Sequence, residues 1–278
     1  LEYLKDHAYK MLKSTGHEEI SLSSLSSSDY SHLKEIVNFL IDEFQGKGVN
    51  ISLPSLRIDA FSLDVMSKVQ DIKKSSLTFA PEAGSQRLRD AINKNVTEED
   101  LLNSCRTAFS GGWSSVKLYF MLGLPTETDE DVLGIADLAQ KVYHVWRENT
   151  PNRSRGVRIT VSTSCFVPKS HTPFQWEAQN TQEEYLRKVT LLREHMRNKS
   201  ITYNWHDPET SYLEAVLSRG DRRIADVIEE AWRHGAKFDS WSEYFNLQTW
   251  LTAMETCGVS PAFYANRVRE KDEILPWH

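Results

Sequence analysis

Apolar, β-branched runs alternate along the chain with segments whose apolar positions recur at helical spacing. The runs Ile20 to Leu25, Val49 to Ile58, Ser76 to Ala80, Val116 to Leu122, Val157 to Thr163 and Ile201 to Trp205 read as strands. Between them Tyr30 to Phe44, Phe61 to Val69, Gln86 to Ile92, Glu130 to Trp146 and Gln182 to Met196 read as helices, and Leu1 to Lys5 already has amphipathic helical spacing. Because a parallel crossover takes about a dozen residues or more, a helix between successive strands implies parallel pairing. No phosphate-cradling glycine signature follows the first strand, which disfavours a flat doubly wound sheet. The pattern therefore predicts an α/β fold, a partial (β/α)6 TIM-like barrel of parallel strands. After Asp207-Pro208 only helical patterns remain, Glu209 to Leu217, Arg222 to Trp232 and Leu247 to Cys257, parted by Gly220 and Gly235. The expected organisation is a barrel over 1–206 and a helical C-terminal extension over 207–278.

Composition narrows the function classes. The 278 residues, 40% hydrophobic and 26% charged, suffice for a full core. A net charge of −6 and a pI near 5.9 argue against a broad nucleic-acid footprint, though not against a local basic groove. Cys105, Cys165 and Cys257 are odd in number and far apart, so they form neither a disulfide framework nor a metal spacing; a reducing, cytoplasmic compartment follows. The longest apolar run, Leu118 to Leu124, is far short of the roughly 20 residues of a membrane span.

Barrels of this kind keep their chemistry where strands end and βα loops begin. The serine-rich stretch Ser21 to Asp29 has more hydroxyls than helix capping uses. Arg57 and Asp59 share a strand face, which suits either an internal ion pair or anion binding by the Arg57 fork. In Ala80-Pro81-Glu82-Ala83-Gly84, Glu82 sits at a strand-to-helix turn, where it either favours the helix N-terminus or meets vicinal hydroxyls. Gly123, at the end of Lys117 to Leu122, marks a close backbone approach, and Lys117, Tyr119 and Met121 share one face. If that face is inward, Lys117 is too polar for packing alone. Thr128 to Asp131 has capping-box spacing. Cys165 with His171 is a weak candidate for a thiolate–imidazole pair. His206 and Asp207 invite a metal reading, but Asp207 before Pro208 looks first like a helix cap.

In this order, Glu18 to Leu33, Leu53 to Phe61, Leu77 to Leu102, Trp113 to Val132 and Cys165 to Trp176 resemble the radical S-adenosylmethionine (radical SAM) superfamily. The specific features are the Ala80 to Gly84 turn joined to Gln86-Arg87-Leu88-Arg89 and Asn93-Lys94, then Gly123-Leu124-Pro125-Thr126-Glu127-Thr128. The branch it is most similar to places a cobalamin-binding-like domain before the barrel. The resemblance implies that S-adenosylmethionine is bound, with Glu82 meeting the ribose, Arg89, one helical turn beyond Ser85, facing the methionyl carboxylate, and Gln86 among the cofactor-binding residues. It also implies that the backbone at Gly123 and Leu124, with Val167, flanks adenine. The segment holding the methionyl amine would fall at Ser23, Ser24 and Leu25, where the family's glutamate is missing; Arg57 is a further cofactor-binding candidate. Glu82 is then expected at the barrel mouth near Gly123 and Val167.

The family's C-x-x-x-C-x-x-C motif, which holds a 4Fe-4S cluster, does not occur in these 278 residues. Its expected place is just before the helix containing Leu1. The sequence is therefore expected to be an inactive, cluster-free piece of a longer enzyme, with an unpaired edge on the strand from Ile20. In that enzyme, reductive cleavage of S-adenosylmethionine would give a 5′-deoxyadenosyl radical that acts on an RNA, protein or small-molecule substrate. Two other functions remain open: a non-catalytic barrel binding a nucleotide or RNA, and a hydrolase using Glu82 with Asp59.

Overall fold

A computed structural model describes residues 1–22, 30–44, 47–52, 76–151 and 153–278. The expected helix Phe61 to Val69, and the candidates Ser24, Arg57 and Asp59, lie outside the described residues.

Six strands are described: β1 (Glu19–Ser21), β2 (Asn50–Ser52), β3 (Leu77–Glu82), β4 (Ser115–Leu122), β5 (Arg158–Cys165) and β6 (Ile201–Trp205). β1 and β2 form a parallel pair with Ile20 opposite Ile51, and β1 pairs on that side alone among the described residues. The other four form a parallel sheet in the order β3-β4-β5-β6. Between strands run α1 (Glu2–Thr15), α2 (Leu33–Phe44), α3 (Gln86–Ala91), α4 (Glu98–Ser110), α5 (Asp129–Asn149) and α6 (Gln182–His195). After β6 come α7 (Pro208–Arg219), α8 (Ile224–Arg233), α9 (Leu247–Thr256) and α10 (Pro261–Ala265). The fold is α/β, a partial TIM-like barrel with C-terminal helices. Among the described residues no helix is long and apolar enough to cross a membrane.

Local chemistry sets these boundaries. α1 stops at Gly16, which takes φ 66° and donates its amide to Leu12 O. α4 starts with a reciprocal Thr97–Asp100 capping box. Asp207 caps α7 by accepting from the Glu209 amide, with Pro208 in the first helical turn, so the sequence reading of Asp207 as a cap is met.

The chain divides into two compact units. The first comprises Leu1–Phe120, Glu130–Ser162 and Arg193–Asn204. Here α1 and α2 pack Ala8, Leu12, Val37, Leu40 and Phe44 together with Ile51 of β2. The strands alternate: Phe79, Val116, Leu118, Ile159 and Val161 are buried, while Thr78, Lys117, Tyr119, Thr160 and Ser162 on the other face are not. The second unit comprises Met121–Asp129, Thr163–Leu192 and Trp205–His278. Its core joins Leu213 and Val216 of α7, Val227 of α8, Trp250 and Met254 of α9 and Tyr264 of α10.

Candidate functional site

In the first unit the chain leaves β3 through Glu82, which has φ 69°, a left-handed conformation that a non-glycine residue adopts at a cost. The ladder to β4 is irregular between Phe79 and Glu82, so the turn re-aims the Glu82 side chain. Lys94 Nζ lies 3.2 Å from Glu82 Oε1, and the carboxylate is 27% exposed. Its second oxygen has no bond to any described residue.

The turn is held from below. Arg89 is 1% exposed and donates to Ala83 O at 2.9 Å, Gly84 O at 3.3 Å and Gln86 Oε1 at 3.0 Å. Burial pulls its pKa below the usual guanidinium range. Gln86 Oε1 also accepts from the Glu98 amide at the start of α4. Ser85 caps α3 and donates to the buried Asp131, which also accepts from Arg87. A Cβ on Gly84 would overlap Asp131 O and Ile135 N, so α5 passes directly against the turn and only glycine fits there. Thus Arg89, expected to face a carboxylate, is committed to carbonyls of the turn that carries Glu82.

The second unit holds Gly123, Leu124 and Val167. Gly123 has φ 90° and donates its amide to Glu127 Oε2 at 2.7 Å. Lys188 Nζ is 2.8 Å from the same oxygen and 2.9 Å from Asn180 Oδ1; the Glu127 and Lys188 side chains are 2% and 6% exposed. Leu124 is buried, and its carbonyl accepts from the Glu127 amide at 3.1 Å. Val167 is partly buried against the helical core. Its loop is anchored by Arg219, which donates to Pro168 O at 3.4 Å and Glu177 O at 2.7 Å, and by the Arg269 amide, which donates to Trp176 O. Burial, with the charges of Arg269 and Arg267, pulls Arg219 down to about 10.

The sequence reading missed Lys188, Asn180, Arg219 and Arg269. Lys188 did carry a signal: it stands between Tyr185, Val189 and Leu192 on the buried stripe of α6, where a lysine needs a partner. The two arginines look like ordinary surface positions in sequence.

Two of the three thiols, Cys105 and Cys165, are buried, and Cys257 is half-buried. Burial pushes Cys165 up to about 12 and raises Cys105 further, and no hydrogen bond joins Cys165 to the exposed His171 among the described residues. Cys105 lies in α4 of the first unit, whereas Cys165 and Cys257 belong to the second. No group of three His, Cys, Asp or Glu among the described residues is arranged to hold a metal ion. These thiols therefore do not fit an iron–sulfur cluster, which needs convergent cysteine thiolates.

The chain is 32% identical over 229 residues to the uncharacterized protein MJ0966 of Methanocaldococcus jannaschii, an alignment covering 82% of this chain and 47% of that protein. It thus spans about half the length of that relative. Among solved structures, the Elp3 of the archaeon Methanocaldococcus infernus with an N-terminal deletion aligns at 10% identity and TM-score 0.45, over 75% of this chain and 56% of that one. Methylornithine synthase (PylB) aligns at 15% identity and TM-score 0.44, over 74% and 61%. Residues 1–139, half of the chain, match the radical SAM superfamily, and to that superfamily this chain belongs.

Proposed function

We propose that this chain is the part of a radical SAM enzyme that holds S-adenosylmethionine and faces the substrate, with residues 1–206 forming the barrel and 207–278 a helical extension. The observation that carries this reading is the Glu82 turn: a left-handed glutamate with one carboxylate oxygen that bonds no described residue, braced by Arg89 and seated on Gly84. A carboxylate fixed in this way suits the two hydroxyls of a ribose. In this reading Gly123 and Leu124 offer backbone, and Val167 a methyl surface, to adenine. Ser24 and Arg57 serve the methionyl end, and Gln86 and Arg89 keep the Glu82 turn in shape.

The cluster is assigned to cysteines outside these 278 residues, because Cys105, Cys165 and Cys257 do not converge. The whole protein, with a cobalamin-binding-like domain before the barrel, would reductively cleave S-adenosylmethionine to a 5′-deoxyadenosyl radical; this chain by itself would be inactive.

The test is to treat this chain and a longer protein containing it with iron and sulfide under anaerobic conditions. Visible charge-transfer absorbance and 5′-deoxyadenosine formation are expected from the longer protein only. Stoichiometric cluster uptake by the chain itself, or a cluster-loaded longer protein that makes no 5′-deoxyadenosine, would overturn the reading.

A further inference from the structure

Strands covered on both faces are near-continuously apolar, and the interior of a TIM barrel is filled mainly by branched aliphatic side chains. In the first unit the face of the four-stranded sheet opposite Phe79, Leu118 and Val161 departs from this rule. Thr78 stands opposite Lys117 in the β3–β4 register. The Arg158 amide donates to Ser114 O, which in a parallel ladder pairs Arg158 with Ser115 and so sets Thr160 beside Lys117. The Ile159 amide donates to Ser200 O, which pairs Ile159 with Ile201 and sets Thr202 beside Thr160. One row across the four strands thus reads Thr78, Lys117, Thr160, Thr202, an ammonium flanked by hydroxyls.

Arg158 lies on the same face, one row earlier on the strand next to Lys117. Lys117 and Arg158 are both exposed, and neither forms an ion pair or side-chain hydrogen bond with any described residue. Across β4, β5 and β6 the next row, Tyr119, Ser162 and Asn204, contains no carboxylate. Glu82, at the end of β3, is engaged by Lys94. Two neighbouring cations with no counter-charge among the described residues, set among hydroxyl donors, form a site for an anion.

We propose that the face formed by Lys117, Arg158, Thr78 and Thr160 binds an oxyanion, a phosphate or carboxylate group carried by the substrate. That the ligand is the substrate rests on the proposed function; the anion site rests on the register and the charges alone. The ammonium and guanidinium neutralise the charge, and the two threonine hydroxyls donate to the remaining oxygens.

The test is calorimetric titration of the whole chain with inorganic phosphate and, separately, with malonate. Wild type is expected to bind at least one of them, and the tighter of the two names the anionic group. Lys117→Met is expected to weaken binding about tenfold and K117R to restore most of it, as a charge-assisted contact requires. Arg158→Met should act in the same direction. Both side chains are exposed, so these variants should keep the wild-type circular dichroism and melting temperature. Absence of binding to wild type, or K117M and R158M titrating like wild type, would overturn the proposal. S-adenosylmethionine affinity is followed in parallel: its loss with anion binding intact counts against the proposed function and leaves this site standing.

Discussion

Replacing Lys188 by methionine removes an ammonium from a carboxylate that is 2% exposed. The Glu127–Lys188 pair has an N–O distance of 2.8 Å, Lys188 also reaches Asn180, and Glu127 fixes the amide of Gly123. Methionine fills nearly the same volume, so the packing term is small and the electrostatic term dominates. Breaking a buried pair from one side costs about 3–5 kcal/mol. Converting Glu127 to glutamine as well removes the buried charge and still offers an oxygen to the Gly123 amide, so the double variant should lie within about 1–2 kcal/mol of wild type. Urea unfolding followed by tryptophan fluorescence measures both, and exchange of the Gly123 amide gives a local readout that should accelerate in K188M and recover in the double variant. A K188M cost below about 1 kcal/mol, or a double variant no more stable than the single, would refute the view that this pair holds the Gly123–Leu124 turn.

Gly84→Ala forces a methyl group into the backbone of α5 at Asp131 and Ile135 and should cost roughly 2–3 kcal/mol in a thermal melt, whereas Gly16→Ala meets no atom and carries only the penalty of its left-handed φ. Alkylation of the native chain at mildly alkaline pH should label the half-buried Cys257 first, leaving Cys105 and Cys165 unmodified until denaturant is added, because burial raises both thiols far above that pH. Hydrogen bonds from Arg223, then Tyr264, hold the Asp221 carboxyl well below the usual carboxylate range. Its contribution is therefore complete above about pH 4 and is lost as pH falls through the depressed folded value, so D221N should be less stable than wild type near neutrality and converge with it in acid denaturation curves.

The alternation of strands and helices was legible because period-2 and period-3.6 patterns survive in single elements. The expected strand Ile201 to Trp205 and the helix starting at Gln182 coincide with β6 and α6. Strand ends were less legible: the chain runs on past Ala80 to Glu82, because the irregular register and the left-handed φ of Glu82 depend on pairing with β4. Lys117 was singled out on the condition that its face is inward, whereas its side chain is exposed. The bonds of Arg89 to the Ala83 and Gly84 carbonyls were not legible, because no side-chain pattern encodes them. Arg219 was invisible for the same reason: its bonds go to Pro168 O and Glu177 O, more than 40 residues away in sequence.

The most direct test of the central claim, that the Glu82 turn holds the ribose of S-adenosylmethionine, is the rate of 5′-deoxyadenosine formation by a cluster-loaded longer protein as S-adenosylmethionine is varied, for wild type and Glu82→Ala. Losing two hydrogen bonds from ribose hydroxyls to a carboxylate should raise KM by about tenfold or more. An E82A protein with the wild-type KM and kcat would contradict the account.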